Sequence, residues 1–406
     1  MAFELGLSDL EPLLVGGCFF GSGGGGTLRS ARHLVSHFYK GDYYPSERIR
    51  VVDVAEALNG DSVMLAYMGA PEAIASCAYP DGPVRAAEAI QQRLASEGRE
   101  LAYVVPPESG ALGFIVACLV AARLGLAVID ADGAGRAVPS LPMLTFAAAG
   151  VTPRPAFLVS QAGLRVELNV TPQANPGNAT DYPNDAAVII EQMMRPIVAA
   201  PQFDNFGGLA MWVMTPESLD KALPIRGTLS RALTLGRALQ CGKIETPEAM
   251  IAFLQHHFGL TAYAISGPGY FDSASVSTAG GFDIGKVHIR VGDAQVSVIY
   301  ENESLLAWDS RSTQPLAMAP DSIAYFIEGA GSAVFSNGDL VQADGTISLG
   351  LKQRKVTLLA WQAEAPLREA GGLNLWSFMQ LLEALGYMGH YQPVGPNLVA
   401  GREGTL

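Results

Sequence analysis

Between Leu10 and Val170 the sequence alternates short apolar runs with helical patterns, and this restricts the fold more than any other feature. Leu10 to Phe20 is apolar and enters a glycine-rich loop, after which Thr27 begins a helical pattern through Tyr39. Ile49 to Val54, Val63 to Met68, Leu101 to Val105 and Ala127 to Asp130 read as buried strands. Helical patterns fall between them, one opened by Gly82-Pro83 and running to Ser96, the other from Gly110 to Leu124. Apolar strands that alternate with helices predict a mostly parallel sheet covered on both faces. Arg154 to Val170 then alternates in the manner of a strand.

Asp185 to Val198, Ser218 to Leu239 and Pro247 to Phe258 read as helices. Beyond them come short strands divided by Gly, Asn and Asp: Val287 to Ile289, Val296 to Tyr300, Ser304 to Trp308, Ser332 to Phe335, Asp339 to Gln342 and Lys355 to Ala360. Asn337-Gly338 and Asp344-Gly345 are hairpin-turn signals, and Leu373 to Leu385 reads as a closing helix. The expected architecture is an α/β N-terminal domain with a mostly parallel sheet over residues 1–168. A β-rich (α+β) C-terminal domain with a helical lead-in follows over 169–406.

At 49% hydrophobic and 16% charged residues, the chain has ample material for a large core. Its net charge of −13 repels phosphate backbones and anionic bilayers, so neither nucleic acid nor membrane is an expected partner. No basic-then-apolar leader opens the sequence, and Leu112 to Val128 is too interrupted to span a bilayer. Cys18, Cys77, Cys118 and Cys241 form no CxxC pair and read as core thiols of a reducing, cytoplasmic compartment. High hydrophobicity with low charge suggests buried subunit contacts and hence a homo-oligomer.

Four segments have chemical potential. In Gly21-Ser22-Gly23-Gly24-Gly25-Gly26-Thr27, glycines before a helix leave N–H groups bare for a carboxylate, phosphate or polar ring, or simply make a tight turn. No Gly-Lys-Ser/Thr follows and no dinucleotide fingerprint is formed, so no nucleotide cofactor is expected. Glu108 follows a strand at the sheet edge where open α/β sheets bind ligands, or serves as a helix N-terminal charge. Asp130 and Asp132 end a buried strand ahead of a glycine turn and Arg136. They could hold a cation, divide acid and base roles, or be neutralised by Arg136, with Asp130 capping the turn. Asn302 offers a donor and an acceptor, and Glu303 is either an acid or base or a solvated turn residue. His33 and His37 are four apart on a helix and read as a surface pair, since no zinc signature accompanies them. Ser22 has no evident His partner, and the sequence contains no GxSxG elbow. Trp308, Trp361 and Trp376 read as core.

In this order the segments resemble the S-methyl thiohydantoin desulfurase-like family, formerly a domain of unknown function. Phe20 to Gly26 is similar to its glycine loop, Met68-Gly69-Ala70-Pro71 to its Gly-Ala-Pro turn, and Glu108-Ser109-Gly110 to its Glu-x-Gly-Gly segment. Asp130-Ala131-Asp132-Gly133-Ala134-Gly135-Arg136-Ala137-Val138-Pro139 is the most specific match. Gly227 to Arg237, Gly280 to Gly285, Asn302-Glu303 and Pro320-Asp321 extend the similarity over residues 8–395.

The resemblance implies hydrolysis of a small hydantoin-like ring: water attacks the carbon bearing an S-methyl group, and methanethiol leaves. It implies Asp132 or Glu108 as base, with Asp130 beside them. Arg136 and the N–H groups of Gly23, Gly24, Gly25 and Gly26 would hold the ring, aided by Asn302 and Glu303. If a divalent metal ion takes part, Asp130, Asp132 and Glu108 are its candidate ligands. On that reading Asp132→Asn abolishes turnover and leaves the fold intact. The family's genes often accompany hydantoinase-type enzymes, which gives the alternative of a non-catalytic binding or assembly partner of such an enzyme. A metal- or anion-binding regulatory protein is a third reading. An enzyme predicts a closed pocket where the glycine loop meets the acidic loop, with at least one shifted carboxylate, whereas an assembly partner predicts a large exposed apolar face.

Overall fold

A computed structural model describes residues 2–39, 48–69, 73–74, 81–171, 182–279, 281–329 and 334–396. Cys77, Ala70, Pro71, Gly280 and part of the segment expected as strand Ser332 to Phe335 lie outside the described residues.

The first sheet has eight strands. At its centre Ile49–Val52, Ala127–Ile129, Leu101–Val105 and Asp61–Gly69 lie parallel in that order. Phe3–Leu5 pairs antiparallel with Ile49–Val52 at one edge. Beyond Asp61–Gly69 come Phe206–Met214, Ala156–Val159 and Arg165–Leu168, all antiparallel. The expected strands are present, and the Arg154 to Val170 alternation is a hairpin. Phe206–Met214 was not expected. It joins the first sheet from well beyond residue 168, between two strands of the N-terminal region.

Helices Leu7–Phe20 and Ala111–Leu124 are apolar on nearly every side and are buried. Thr27 caps helix Leu28–Phe38 by accepting a hydrogen bond from the Ser30 amide at 2.9 Å. The expected helix Ser218 to Leu239 is instead two, Pro216–Ala222 and Thr228–Gln240. Pro224 and Gly227 lie between them; Gly227 has φ +71°, a left-handed conformation that glycine adopts without strain. Helices Leu7–Phe20 and Thr228–Gln240 cross at glycine. A Cβ on Gly16 would lie 1.8 Å from the Ala232 carbonyl oxygen, and one on Gly236 would lie 1.8 Å from that of Pro12.

The C-terminal sheet is antiparallel. Gly269–Ala279, Phe282–Val291, Ala294–Glu301, Glu303–Asp309 and Ala317–Met318 follow one another, while Lys355–Trp361 joins Gly269–Ala279, Ala262–Ala264 and Ser322–Ile327. Asn337-Gly338 does not turn a hairpin. Both residues lie in the short helix Asn337–Leu340, where the preceding Ser336 and Asp339 form a capping box. This helix stands where a strand Asp339 to Gln342 was expected. Trp361 is buried and stacks on Phe19 at 5.1 Å. Among the described residues no helix is long and apolar enough to cross a membrane.

Candidate functional site

The glycine loop fastens the two halves together. Ser22, at φ +50°, accepts the Ile323 amide on its hydroxyl at 2.8 Å, and its carbonyl accepts the Ser304 amide at 2.8 Å. The Gly23 carbonyl accepts the Asn337 amide at 2.7 Å. A Cβ on Gly24 would lie 2.1 Å from Glu303 Oε1, so the absence of a side chain lets this carboxyl in. The next helix start is already supplied with an anion, because the Leu28 amide donates to Asp339 Oδ2 at 3.0 Å.

Only Gly25 and Gly26 of the run reach the main cleft, which is open to solvent. Glu108, Asn302, Glu303 and Arg195 also line it. It opens beyond the carboxyl ends of the parallel strands Asp61–Gly69 and Leu101–Val105, the usual place for a ligand in an open α/β sheet.

Glu303 is not a solvated turn residue. It begins strand Glu303–Asp309 and is 4% exposed. Asn302, at φ +56°, makes the tight reversal before it, a conformation that asparagine tolerates better than most residues. Glu303 Oε1 accepts the Gly25 amide at 3.4 Å, while its buried Oε2 has no hydrogen-bond partner. Burial pushes the Glu303 carboxyl up to about 8, opposed by the Arg136 charge. Glu108 Oε2 accepts the Val138 amide at 2.7 Å. Burial, then the neighbouring Glu303 charge, drives Glu108 well above the ordinary carboxylate range.

Asp130, Asp132 and Arg136 sit behind this cleft and do not line it. Asp130 caps helix Thr228–Gln240 from outside, its Oδ1 accepting the amides of Leu229 at 2.9 Å and Ser230 at 3.1 Å while Oδ2 accepts the Ser230 hydroxyl. Asp132 Oδ1 accepts the amides of Ala134 at 2.9 Å and Gly135 at 2.6 Å, and Oδ2 accepts the Ser109 hydroxyl at 2.6 Å. Burial raises the Asp132 carboxyl, and these donors oppose the rise. Arg136 does not neutralise the two acids. It is 1% exposed and donates to the carbonyls of Ala137, Ser304, Pro320 and Asp321 at 2.6–3.0 Å. Burial lowers its pKa to about 10, which leaves it cationic.

The acids do not fit a divalent ion as a set. The oxygens of Asp130 and Asp132 are taken by N–H and hydroxyl donors, and both residues stand apart from the cleft that Glu108 lines. Among the described residues no three His, Cys, Asp or Glu side chains gather in a way that could hold a metal ion. Asp132→Ala would orphan the buried Ala134 amide and Ser109 hydroxyl, each at a cost of about 1–3 kcal/mol, and the half-buried Gly135 amide. It is expected to lower the urea midpoint sharply, whereas Asp130→Ala should lose only a cap, about 0.5–2 kcal/mol. Equal effects in urea melts would overturn this ranking.

Arg195 was not foreseen. It lies four residues after Glu191 on helix Ala186–Val198, a spacing that ordinarily marks a solvated ion pair. Here the pair is at 2.6 Å, and the guanidinium also donates to the carbonyls of Pro139 at 2.9 Å and Gly281 at 3.3 Å. Its central carbon lies 3.8 Å from the centre of the Phe282 ring. His33 and His37 meet edge to face on helix Leu28–Phe38, and Cys18 and Cys118 are buried whereas Cys241 is exposed.

Comparison with known proteins identifies the family of the chain. Two family models match, the S-Me-THD-like N-terminal domain over residues 8–170 and the S-Me-THD-like C-terminal domain over residues 184–394. The crystal structure of a protein from Chromobacterium violaceum is similar at 57% identity and a TM-score of 0.89, covering 97% of this chain and 100% of the other. No curated protein matches. Both family domains are present, in order and nearly end to end, and the chain belongs to the S-Me-THD-like family, the S-methyl thiohydantoin desulfurase-like proteins that its motifs resemble.

Proposed function

We propose that the cleft binds a small hydantoin-like ring and hydrolyses it, replacing an S-methyl group by oxygen. The observation that carries this reading is a pair of carboxyls, Glu108 and Glu303, lining one cleft, with an oxygen of Glu303 left unpartnered. Two carboxyls in one cleft whose ionisation is held up by burial can serve as a proton donor and a proton acceptor at once. Glu303, the one nearer Arg136's influence, is the base, and Glu108 is the acid.

In this scheme Glu303 takes a proton from water as the water oxygen attacks the ring carbon bearing sulfur. Glu108 gives its proton to the adjacent ring nitrogen, and a tetrahedral carbon forms with OH, S-methyl and two nitrogens attached. On collapse the hydroxyl proton returns to Glu108 and the C–S bond breaks. The thiolate takes the proton held by Glu303 and departs as methanethiol, and a hydantoin remains. The Gly26 backbone and Asn302 flank the carboxyls and offer polar groups to the ring. Asp130, Asp132 and Arg136 hold the loops that carry this pair.

The test is incubation of the protein with S-methyl thiohydantoin, following methanethiol with a thiol reagent and hydantoin by chromatography. Both products should appear in equal amounts. Because Glu303 must be ionised to act, kcat/KM should rise about tenfold per pH unit toward a limb near pH 8. Absence of both products over pH 6–9 would overturn the reading.

A further inference from the structure

The Glu303 carboxyl is held weakly by its own contacts. Its bond from the Gly25 amide is long, at 3.4 Å, and its other oxygen has no hydrogen-bond partner. Its place is therefore set by the residues on either side of it. Asn302 precedes it at φ +56°, a left-handed conformation that persists in a non-glycine residue only where the surroundings hold it. Asp283 supplies part of that hold. The Asn302 amide donates to the Asp283 carbonyl at 2.8 Å, and Asn302 Oδ1 accepts the Asp283 amide at 2.9 Å.

Asn337 supplies the remainder, from 35 residues further along the chain. It is 2% exposed. Its Nδ2 donates to the Asn302 carbonyl at 3.1 Å and to the Ser304 hydroxyl at 3.4 Å, so one amide group touches the residues on both sides of Glu303. A backbone carbonyl can only accept, which fixes Nδ2 on that side and leaves Oδ1 to accept the Tyr325 hydroxyl at 2.9 Å. The approach to the glycine loop is equally close: a Cβ on Gly23 would lie 2.8 Å from Asn337 Nδ2 and 2.3 Å from Ser304 Oγ. The helix that carries Asn337 has no need of this side chain, since Ser336 and Asp339 form its capping box.

We infer that Asn337 is a positioning residue of the cleft: its side-chain amide, oriented by Tyr325, locks Asn302 and Ser304 and thereby holds the Glu303 carboxyl at the Gly25 amide. The effect on turnover rests on the hydrolytic reading above, whereas the effect on the carboxyl does not. Without this amide, Asn302 and Ser304 lose a shared donor, and the carboxyl between them turns outward into the solvent-open cleft. A carboxyl that regains water ionises at lower pH. The charged groups around it are Arg136, Glu301 and Glu108, and none of them is altered by a change at residue 337.

The experiment uses the full-length protein and its Asn337→Ala, Tyr325→Phe and Ser336→Ala variants, each first melted to establish that it folds. Turnover of S-methyl thiohydantoin is followed over pH 6–9. With no substrate present, the Glu303 carboxyl is titrated by carbon NMR on protein labelled at glutamate Cδ, its signal identified by its loss in Glu303→Gln. Asn337→Ala should lower kcat on the order of 10²-fold with KM little changed, and should move both the pH limb and the carboxyl midpoint downward. Tyr325→Phe keeps the ring and removes the hydroxyl that orients the amide. It should give a smaller shift in the same direction, and it decides the matter if Asn337→Ala does not fold. Ser336→Ala removes the cap of the same helix and should lower the melting temperature while leaving kcat, limb and midpoint in place. A midpoint unmoved in the Asn337 and Tyr325 variants overturns the positioning role even where thiol is released, and so does an equal shift from Ser336→Ala. A moved midpoint in a protein that releases no methanethiol supports the positioning role and overturns the hydrolytic reading. An unmoved midpoint with no release overturns both.

Discussion

Glu303→Gln is expected to cut turnover by about 10²–10⁴-fold and at the same time to leave the folded protein more stable at pH 8 than its parent. The loss follows from the role of base, since an amide of the same shape cannot accept the proton of water. The gain follows from burial. The Glu303 carboxyl moves from an ordinary 4.5 up to about 8 in the folded chain. At low pH it is protonated in folded and unfolded chains alike and has no effect on the balance. As pH rises past 4.5 the unfolded chain releases this proton and the folded chain retains it, so stability falls until the folded carboxyl ionises near 8. The full displacement corresponds to a handicap on the order of 5 kcal/mol, which glutamine lacks. Thermal melts of both proteins from pH 4 to 9 should converge at the acid end and separate through this window. Parallel melts at every pH would show that Glu303 is not a proton-holding carboxyl.

The largest loss of stability is expected from Gly16→Val. The added Cβ would fall 1.8 Å from the Ala232 carbonyl oxygen and 2.8 Å from its Cα. Both are main-chain atoms of helix Thr228–Gln240, so relief requires moving the helix rather than turning a side chain. Overpacking of this kind costs roughly 1–3 kcal/mol and sometimes more, and here the displaced helix is the one capped by Asp130. Gly236→Val should do the same from the other side of the crossing, through the Pro12 carbonyl. Gly350→Ala is the control, because nothing stands within 4 Å of its added methyl. Urea unfolding should show a large drop for Gly16→Val and little change, or a gain of about 0.4–1 kcal/mol, for Gly350→Ala. Equal midpoints for Gly16→Val and the parent would refute the tight crossing.

The sequence made some of this visible and concealed the rest for identifiable reasons. Helices Leu28–Phe38 and Asp81–Ser96 and the parallel strands were legible because each is specified by neighbours in the chain. Phe206–Met214 was missed because its glycines weaken the strand pattern; a Cβ on Gly208 would lie 2.1 Å from the Gly82 carbonyl carbon, a contact between distant segments. Asn337-Gly338 carried a hairpin signal and became part of a capped helical turn, since Ser336 competes for the same backbone. The cleft carboxyl Glu108 was legible from its place after a strand. Glu303 was visible as a residue type, but its burial depends on a glycine almost 280 positions earlier. The conspicuous Asp130 gave no sign of its donors, because they lie about 100 residues downstream.

Strand Phe206–Met214 has a consequence for how the protein is made and inherited. On the ribosome, the first sheet cannot close when the N-terminal family segment ends at residue 170. Asp61–Gly69 then waits as an open edge, a template for wrong partners, until residue 214 has emerged. A gene cut between the two family segments therefore yields an N-terminal piece lacking a strand from its own sheet. The two family segments thus share one sheet, and the N-terminal one is complete only with a strand from the other.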